Sequence, residues 1–481
     1  METLQNFIGG RFIPPQSGNY MEVIEPATGQ VYGKLAVSGV DDVEQAVGAA
    51  QSSCKDWSLM PVEKRSQWLM RIADLIEDQL ESLAVAESKD TGKPLSLARK
   101  LDIPRAVANF RFFAGAILHW ESQAHHSDSA INYTNRHPLG VVGCISPWNL
   151  PLYLLSWKIA PALATGNCVV AKPSEITPLT AWLLSAIFEK AGMPPGVVNI
   201  VHGPGAPTGE ALVKNPGISA ISFTGGTATG RKIAVAAAPD FKKLSLEMGG
   251  KNPNIIFDDC DFDLALETTI RSSFSNQGQI CLCGSRIFIQ SGIYHKFRDL
   301  LVDRTRNLKP SDPSDPEFTM GALVSRQHLE KVLSYVELAK SEGGKLLTGG
   351  SRIELEGRCA GGFFMEPTIF EKLGADCRTN QEEIFGPVVT LIPFEDEAEA
   401  VTMANNSPYG LSATIWTNNL NRAHRVAASL KAGVVWVNCW LLRDLRTPFG
   451  GMKQSGVGRE GGQEALRFFT EAQNVCVRIE Q

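Results

Sequence analysis

Every hydrophobic run in this chain is broken by Pro, Asn, Lys or Gly well short of the about 18 apolar residues that a membrane-spanning helix needs, so none is expected. Positive charge is not in excess. Lys and Arg number 46 against 51 Asp and Glu, a formal net charge of −5, which leaves no electrostatic reason to seek nucleic acid or an anionic membrane. Metal-ligand spacing is missing too: there is no Cys-x-x-Cys and no His-Glu-x-x-His, and the His125-His126 pair has no companions, so no metal site is expected. The ten cysteines lack the spacing of a disulfide framework, and Met1 to Phe7 lacks the basic start and apolar core of a signal peptide. Reduced thiols in a cytoplasmic protein are therefore expected. No internal repeat or low-complexity segment is present.

Two nucleotide motifs are absent. No Gly-x-Gly-x-x-Gly follows a strand, and Gly225-Gly226-Thr227-Ala228-Thr229-Gly230 continues into Arg231-Lys232. A phosphate loop of the NTPase type needs Lys and then Ser or Thr there, so that reading is poor.

What remains is a chain of 481 residues, 43% hydrophobic and 20% charged, long enough for two or three packed units. Strand-like runs alternate with helical patterns, the mark of a parallel α/β architecture. Gly140 to Ile145 predicts a buried strand, followed by a helix from about Tyr153 to Thr165. Asn167 to Pro173 predicts the next strand, and Thr177-Pro178 starts a helix that reaches Ala191 and stops at Gly192, a residue suited to a left-handed cap. Val197 to Val201 and Ala220 to Phe223 repeat the pattern, and a second α/β stretch begins near Asn252. Residues 118–138 and the tail from Phe468 to Ile479 look extended instead, and exposed edge strands of that kind invite pairing.

Chemistry concentrates in a few segments. Cys281 lies in Gly278-Gln279-Ile280-Cys281-Leu282-Cys283-Gly284-Ser285-Arg286; a cysteine is ordinarily an inert buried hydrophobe, but a thiol on a glycine-flanked turn is a candidate nucleophile. Glu247, in Leu246-Glu247-Met248-Gly249-Gly250-Lys251-Asn252-Pro253, is a carboxylate among glycines and a candidate general base. Asn149, in Ser146-Pro147-Trp148-Asn149-Leu150-Pro151, is either a turn former or an amide donor.

These segments, with Phe223-Thr224-Gly225, Glu382-Glu383-Ile384-Phe385-Gly386-Pro387 and Pro448-Phe449-Gly450-Gly451, resemble the paired signatures of the NAD(P)-dependent aldehyde dehydrogenases, in family order along nearly the whole chain. The resemblance implies the aldehyde dehydrogenase fold: a Rossmann-like NAD-binding domain (1–119 and 139–249), an α/β catalytic domain (250–450) and a small β oligomerisation element (120–138 and 463–481). It implies a homodimer or homotetramer acting on a small-molecule aldehyde. Cys281 would be the nucleophile that forms a thiohemiacetal and then a thioester. Glu247 would activate the hydrolytic water, and Asn149, with the Cys281 N–H, would stabilise the oxyanion. Cys283 would be structural.

For the cofactor, the resemblance assigns Ile145, Ser146, Pro147 and Trp148, then Lys172, Ser174 and Glu175 on the adenosine ribose. Gly205 and Gly209 would also touch the cofactor, Phe223, Thr224, Gly225 and Gly226 would line the phosphate side, and Glu383 and Phe385 the nicotinamide side. The family usually carries Ser where this chain has Gly226. An acid at Glu175 accepts from a ribose 2′-hydroxyl and repels a 2′-phosphate, favouring NAD over NADP.

Phe110 to Gly115 and Asn438 to Arg446 look like the branch that oxidises 2-aminomuconic and 2-hydroxymuconic semialdehydes. There, two arginines reach the distal carboxylate; the matching positions are Arg105 and Arg443, with Arg446 competing for the second role. Leu150 and Trp157 would also face the substrate; the runner-up class is long apolar aldehydes such as retinal, whose tunnel Leu150, Tyr153, Trp157 and Trp440 would line, although aromatics at helical spacing are more often core. A catalytically silent structural protein of this fold, or a cysteine hydrolase working without NAD, are the readings from other classes.

Overall fold

The computed structural model describes residues 2–317 and 320–479. Its first sheet has eight strands in the order Gly456–Val457, Lys243–Met248, Ala220–Gly225, Val141–Ile145, Cys168–Lys172, Val198–Ile200, Asn6–Ile8 and Arg11–Ile13. The five strands from Lys243–Met248 to Val198–Ile200 run parallel. Val141–Ile145 and Cys168–Lys172 are buried at every position, as continuous apolar runs must be when helices cover both faces.

The strand earliest in sequence among those five, Val141–Ile145, lies between Cys168–Lys172 and Ala220–Gly225. Chain order reverses there, so a crevice opens beyond the carboxyl ends of these strands.

The helix expected from Tyr153 begins at Pro151 and runs to Ala164. Proline suits a first helical position, where its missing N–H leaves no bond unmade. All of this helix is buried, and it packs against Ile103–Leu118. The helix Leu179–Ala191 ends at Gly192, which takes the left-handed cap at φ 74°.

Only Gly249, Gly250 and Lys251 separate the first-sheet strand Lys243–Met248 from Asn252–Ile256 in the second sheet. That sheet runs Lys345–Thr348, Thr368–Glu371, Val388–Phe394, Gly284–Gln290, Asn252–Ile256, Ser412–Trp416 and Val434–Val437. The short crossing sets the carboxyl ends of the first sheet against the amino ends of the second.

Thr470–Arg478 and Ala130–Pro138 pair antiparallel over nine residues, with Ala124–His126 on the other side of Ala130–Pro138. Just before the tail strand, Ala465, Leu466 and Phe469 pack into the core under the first sheet. Among the described residues no helix is long and apolar enough to cross a membrane.

Candidate active site

Cys281 and Glu247 meet across the junction of the two sheets, lining one cavity with Tyr153, Trp157, Thr224, Arg443, Phe449 and Glu460. Glu247 comes from the carboxyl end of a first-sheet strand. Cys281 stands on the turn just before Gly284–Gln290 of the second. Asn276 and Gln277 enter that turn with left-handed backbones, φ 49° and 55°.

The turn is held from behind. Asn252 donates from Nδ2 to the carbonyls of Cys281 (2.7 Å) and Cys283 (2.9 Å). Trp440 Nε1 donates to the Leu282 carbonyl at 2.9 Å. The Cys283 thiol is buried, whereas Cys281 is half-buried at the cavity wall.

Asn149 stands at the entrance to the helix Pro151–Ala164, its Nδ2 donating to the Gln279 carbonyl at 2.9 Å. An amide nitrogen carries two hydrogens, so one is left over. The Cys281 N–H makes no hydrogen bond among the described residues.

Burial pushes the Cys281 thiol up to about 12, helped by Glu383 and Glu247 and opposed by Arg443. Burial also holds the Glu247 carboxyl well above its ordinary range, with Glu460 adding to it and Lys158 and Arg459 opposing. Among the described residues, neither oxygen of Glu247 has a hydrogen-bond partner. Next to it is a buried ion pair that the motifs do not announce: Lys158 Nζ lies 2.7 Å from Glu460 Oε1, and Ser222 Oγ donates to the same oxygen at 3.1 Å. Lys158 and Glu460 are 302 residues apart, and no local pattern links them.

The crevice collects the residues expected to hold a dinucleotide. Ile145 and Lys172 end neighbouring strands, and Phe223, Thr224 and Gly225 end a third. Gly226 then caps the helix Thr227–Ala237, whose N-terminus is suited to an anion. A Cβ built on Gly226 meets nothing within 4 Å, so the approach to that N-terminus is open. The hydroxyls of Ser146 and Thr224 are buried without a partner among the described residues.

Lys172 Nζ bonds the Pro173 carbonyl (3.1 Å) and Glu175 Oε2 (2.9 Å), and Ser174 Oγ accepts from the Ile176 N–H. Burial works against the Glu175 charge, but Lys172 and the backbone N–H groups of Glu175 and Gly205 together outweigh it and hold the carboxyl below its usual range. Gly205 opens and Gly209 closes a wide turn, and Gly209 lies against the Lys172 stem.

Across the crevice, Glu383 accepts from the Gly250 N–H at 3.1 Å. A Cβ on Gly249 would stand 1.9 Å from a Glu383 oxygen, so only glycine admits this carboxylate. Trp148 meets Phe385 edge to face at 5.2 Å and His328 at 5.0 Å. His328 Nε2 lies 2.7 Å from the Phe385 carbonyl, and Phe385 itself is left-handed, φ 62°. Pro147 joins Ser146 to Trp148 at the rim.

Of the three arginines, two converge. Arg443 donates from Nη1 to Tyr153 Oη at 2.9 Å and lies over the rings of Phe449 (4.0 Å) and Trp157 (5.5 Å). Arg105 stands over the ring of Tyr153 at 5.8 Å but outside the cavity wall formed around Cys281. Neither has a carboxylate partner among the described residues. Arg446 turns away to solvent, clamped by Asp444 at 2.6 Å. Leu150, buried, completes the wall with Leu101 and Leu441.

A model of the aldehyde dehydrogenase family matches residues 12–475. The 2-aminomuconic semialdehyde dehydrogenase of Bos taurus is 52% identical over 479 residues, 99% of this chain and 98% of the relative. The 2-hydroxymuconic semialdehyde dehydrogenase of a Pseudomonas species is 47% identical, with both chains covered completely. Among solved structures, the NAD+ complex of an aldehyde dehydrogenase from Bacillus cereus superposes with a TM-score of 0.97 at 41% identity, covering 100% of this chain and 97% of that one.

Proposed function

Because the chain belongs to the aldehyde dehydrogenase family, we propose that it oxidises the aldehyde group of 2-aminomuconic or 2-hydroxymuconic 6-semialdehyde to a carboxylate with NAD. The observation that carries this substrate is the pair Arg105 and Arg443 around Tyr153, two guanidinium groups without a carboxylate of their own. A guanidinium fork grips a carboxylate in a fixed orientation, and Arg443 shares its cavity with Cys281. The named relatives act on substrates of this kind.

The crevice suits a dinucleotide on its own features. An open helix N-terminus at Gly226, the orphaned hydroxyls of Ser146 and Thr224, and carboxylates at Glu175 and Glu383 match phosphates and ribose hydroxyls. NAD held by these residues would supply the hydride acceptor for the substrate carbon.

The protein's own part has two halves. Cys281 gives up its thiol proton to water as Sγ adds to the aldehyde carbon, and the carbonyl oxygen takes up negative charge between Asn149 Nδ2 and the Cys281 N–H. Each such donor contributes roughly 3 kcal/mol to the transition state. Once the carbon has been oxidised, the adduct is a thioester. Glu247 then takes a proton from water, the hydroxide adds to the thioester carbon, and the collapsing intermediate expels the Cys281 thiolate and leaves the acid. Glu460, paired with Lys158, keeps a second acid beside Glu247.

Steady-state NADH production with 2-hydroxymuconic semialdehyde, a simple aliphatic aldehyde and retinal, each with NAD and NADP, tests the assignment. The expected order puts the semialdehyde first by kcat/KM, with NAD strongly preferred. Retinal in first place would replace the carboxylate clamp with an apolar tunnel, and no NADH from any aldehyde would favour a structural protein.

The same reading includes a homo-oligomer. Among the described residues Thr470–Arg478 pairs along one edge only, and Val434–Val437 ends the second sheet with an open edge, so both offer unpaired backbone groups to another copy. Sedimentation is expected to return two or four times the 52.2 kDa chain; a single 52.2 kDa species would remove this part.

A further inference from the structure

Lys93 lies just beyond the helix Leu80–Thr91, in Thr91-Gly92-Lys93-Pro94. Its side chain has no solvent exposure and stands between two equally buried acids, 2.5 Å from Asp102 Oδ2 and 3.8 Å from Glu87 Oε1. A buried charge cluster of this kind is a weak source of stability, because desolvation offsets most of the attraction. What distinguishes this one is a bond that leaves it. Lys93 Nζ donates at 3.0 Å to the backbone carbonyl of Asn149.

That carbonyl is the centre of a small network. It also accepts from Asn276 Nδ2 at 3.2 Å, and the same nitrogen reaches the Gln279 carbonyl at 3.2 Å. Gln279 O in turn accepts from Asn149 Nδ2 at 2.9 Å. Asn149 is thereby fixed at both ends, its main chain by an ammonium and its side chain by the turn that carries Cys281. Lys93 touches neither the cavity nor the thiol; its reach into the site is through Asn149.

We propose that Lys93 is a positioning residue for the oxyanion-donating amide of Asn149, its Nζ, set between Asp102 and Glu87, holding the Asn149 peptide where its side chain meets the developing negative charge. The inference rests on the reading of Asn149 as an oxyanion donor. Misplacing a reacting group by about 1 Å costs on the order of 100-fold, so a carbonyl anchor of this kind can matter to rate without contacting substrate.

Two reactions of the same thiol separate positioning from folding. With p-nitrophenyl acetate, Cys281 Sγ bonds to the ester carbon, whose oxygen becomes anionic before the C–O bond breaks and p-nitrophenolate leaves; the thiol proton passes to base or water. With iodoacetamide, the S–C bond forms as the C–I bond breaks, iodide leaves, and no oxyanion arises. In the full-length protein, Lys93→Met is expected to slow acylation about tenfold while alkylation stays within about twofold, and Asn149→Ala to slow acylation about 100-fold with the same selectivity. Asp102→Asn, which leaves Lys93 in place beside a neutral partner, is expected to give a smaller selective loss and decides the matter if Lys93→Met does not fold. A selective loss in Asn149→Ala but none in the Lys93 and Asp102 variants overturns the positioning role alone. Equal losses in both reactions make Lys93 merely structural and overturn it too. No selective loss in Asn149→Ala removes the oxyanion reading itself.

Discussion

Glu247→Gln is expected to release one equivalent of NADH per active site in a rapid burst and then nearly stop. The first half-reaction needs the thiol and the oxyanion donors; only the second needs a base to activate water. A positioned general base contributes about 100- to 10,000-fold, so the steady-state rate is expected to fall by roughly that factor while the burst amplitude is kept. Glu247 makes no side-chain hydrogen bond among the described residues, and the Gly451 N–H that favours its charged form can donate equally to the Gln oxygen, so the substitution is close to isosteric.

The sign of the pH dependence follows from the raised carboxyl. Burial first, then Glu460, hold Glu247 protonated above the normal carboxylate range, and the protonated form cannot take a proton from water. The wild-type steady-state rate is therefore expected to rise with pH through that elevated pKa and to fall as the pH drops below it. In the variant, the residual rate loses this rise. Rapid-quench measurement of NADH across pH checks both points; loss of the burst along with turnover would place Glu247 before hydride loss and sink the assignment.

Arg105→Ala is the second large effect, and it depends on substrate. For a semialdehyde with a distal carboxylate, removing one charged donor costs about 1.5–3 kcal/mol, or up to roughly 100-fold in kcat/KM, carried mainly by KM. For a neutral aliphatic aldehyde the change is expected to stay within about threefold, because Arg105 lies outside the wall around Cys281. Arg443 is the less clean probe. Its charge opposes the upward push on the Cys281 thiol and its side chain covers Phe449 and Trp157, so its loss weakens both substrates. Equal effects of Arg105→Ala on charged and neutral aldehydes would falsify the carboxylate clamp.

The local parts of this molecule are legible in its sequence, and the long-range ones are not. Val141–Ile145 and Cys168–Lys172 stand out because a parallel strand covered on both faces reads as a near-continuous apolar run, broken here by Lys172 at the end of the second. The end of the helix Leu179–Ala191 is visible because a left-handed cap calls for Gly192. Cys281, Glu247 and Asn149 are visible because each sits in a short patterned segment. Lys158 and Glu460, by contrast, are ordinary charged residues until the fold closes 302 positions between them, and Lys93 acquires meaning only where it meets the Asn149 carbonyl. The choice between Arg443 and Arg446 is a matter of side-chain direction. Asp444, two residues before Arg446, captures that guanidinium at the surface; an acid at that spacing is the one local sign that Arg446 is already occupied.

Asp102 closes a wide turn, Ala98–Asp102, in which the Ile103 N–H donates to the Ala98 carbonyl five residues back, one residue more than an α-helical turn spans. A wide turn of this kind takes up its surplus residue locally, so the helix Ile103–Leu118 that follows keeps its phase and Arg105 keeps its place over Tyr153. Removing one residue from 98–102 is therefore expected to close the turn as ordinary α-helix, at about 100° per residue, and to leave Arg105 where it stands. The chain here carries a built-in slack ahead of the helix, a single spare residue that the Arg105 side of the site does not feel.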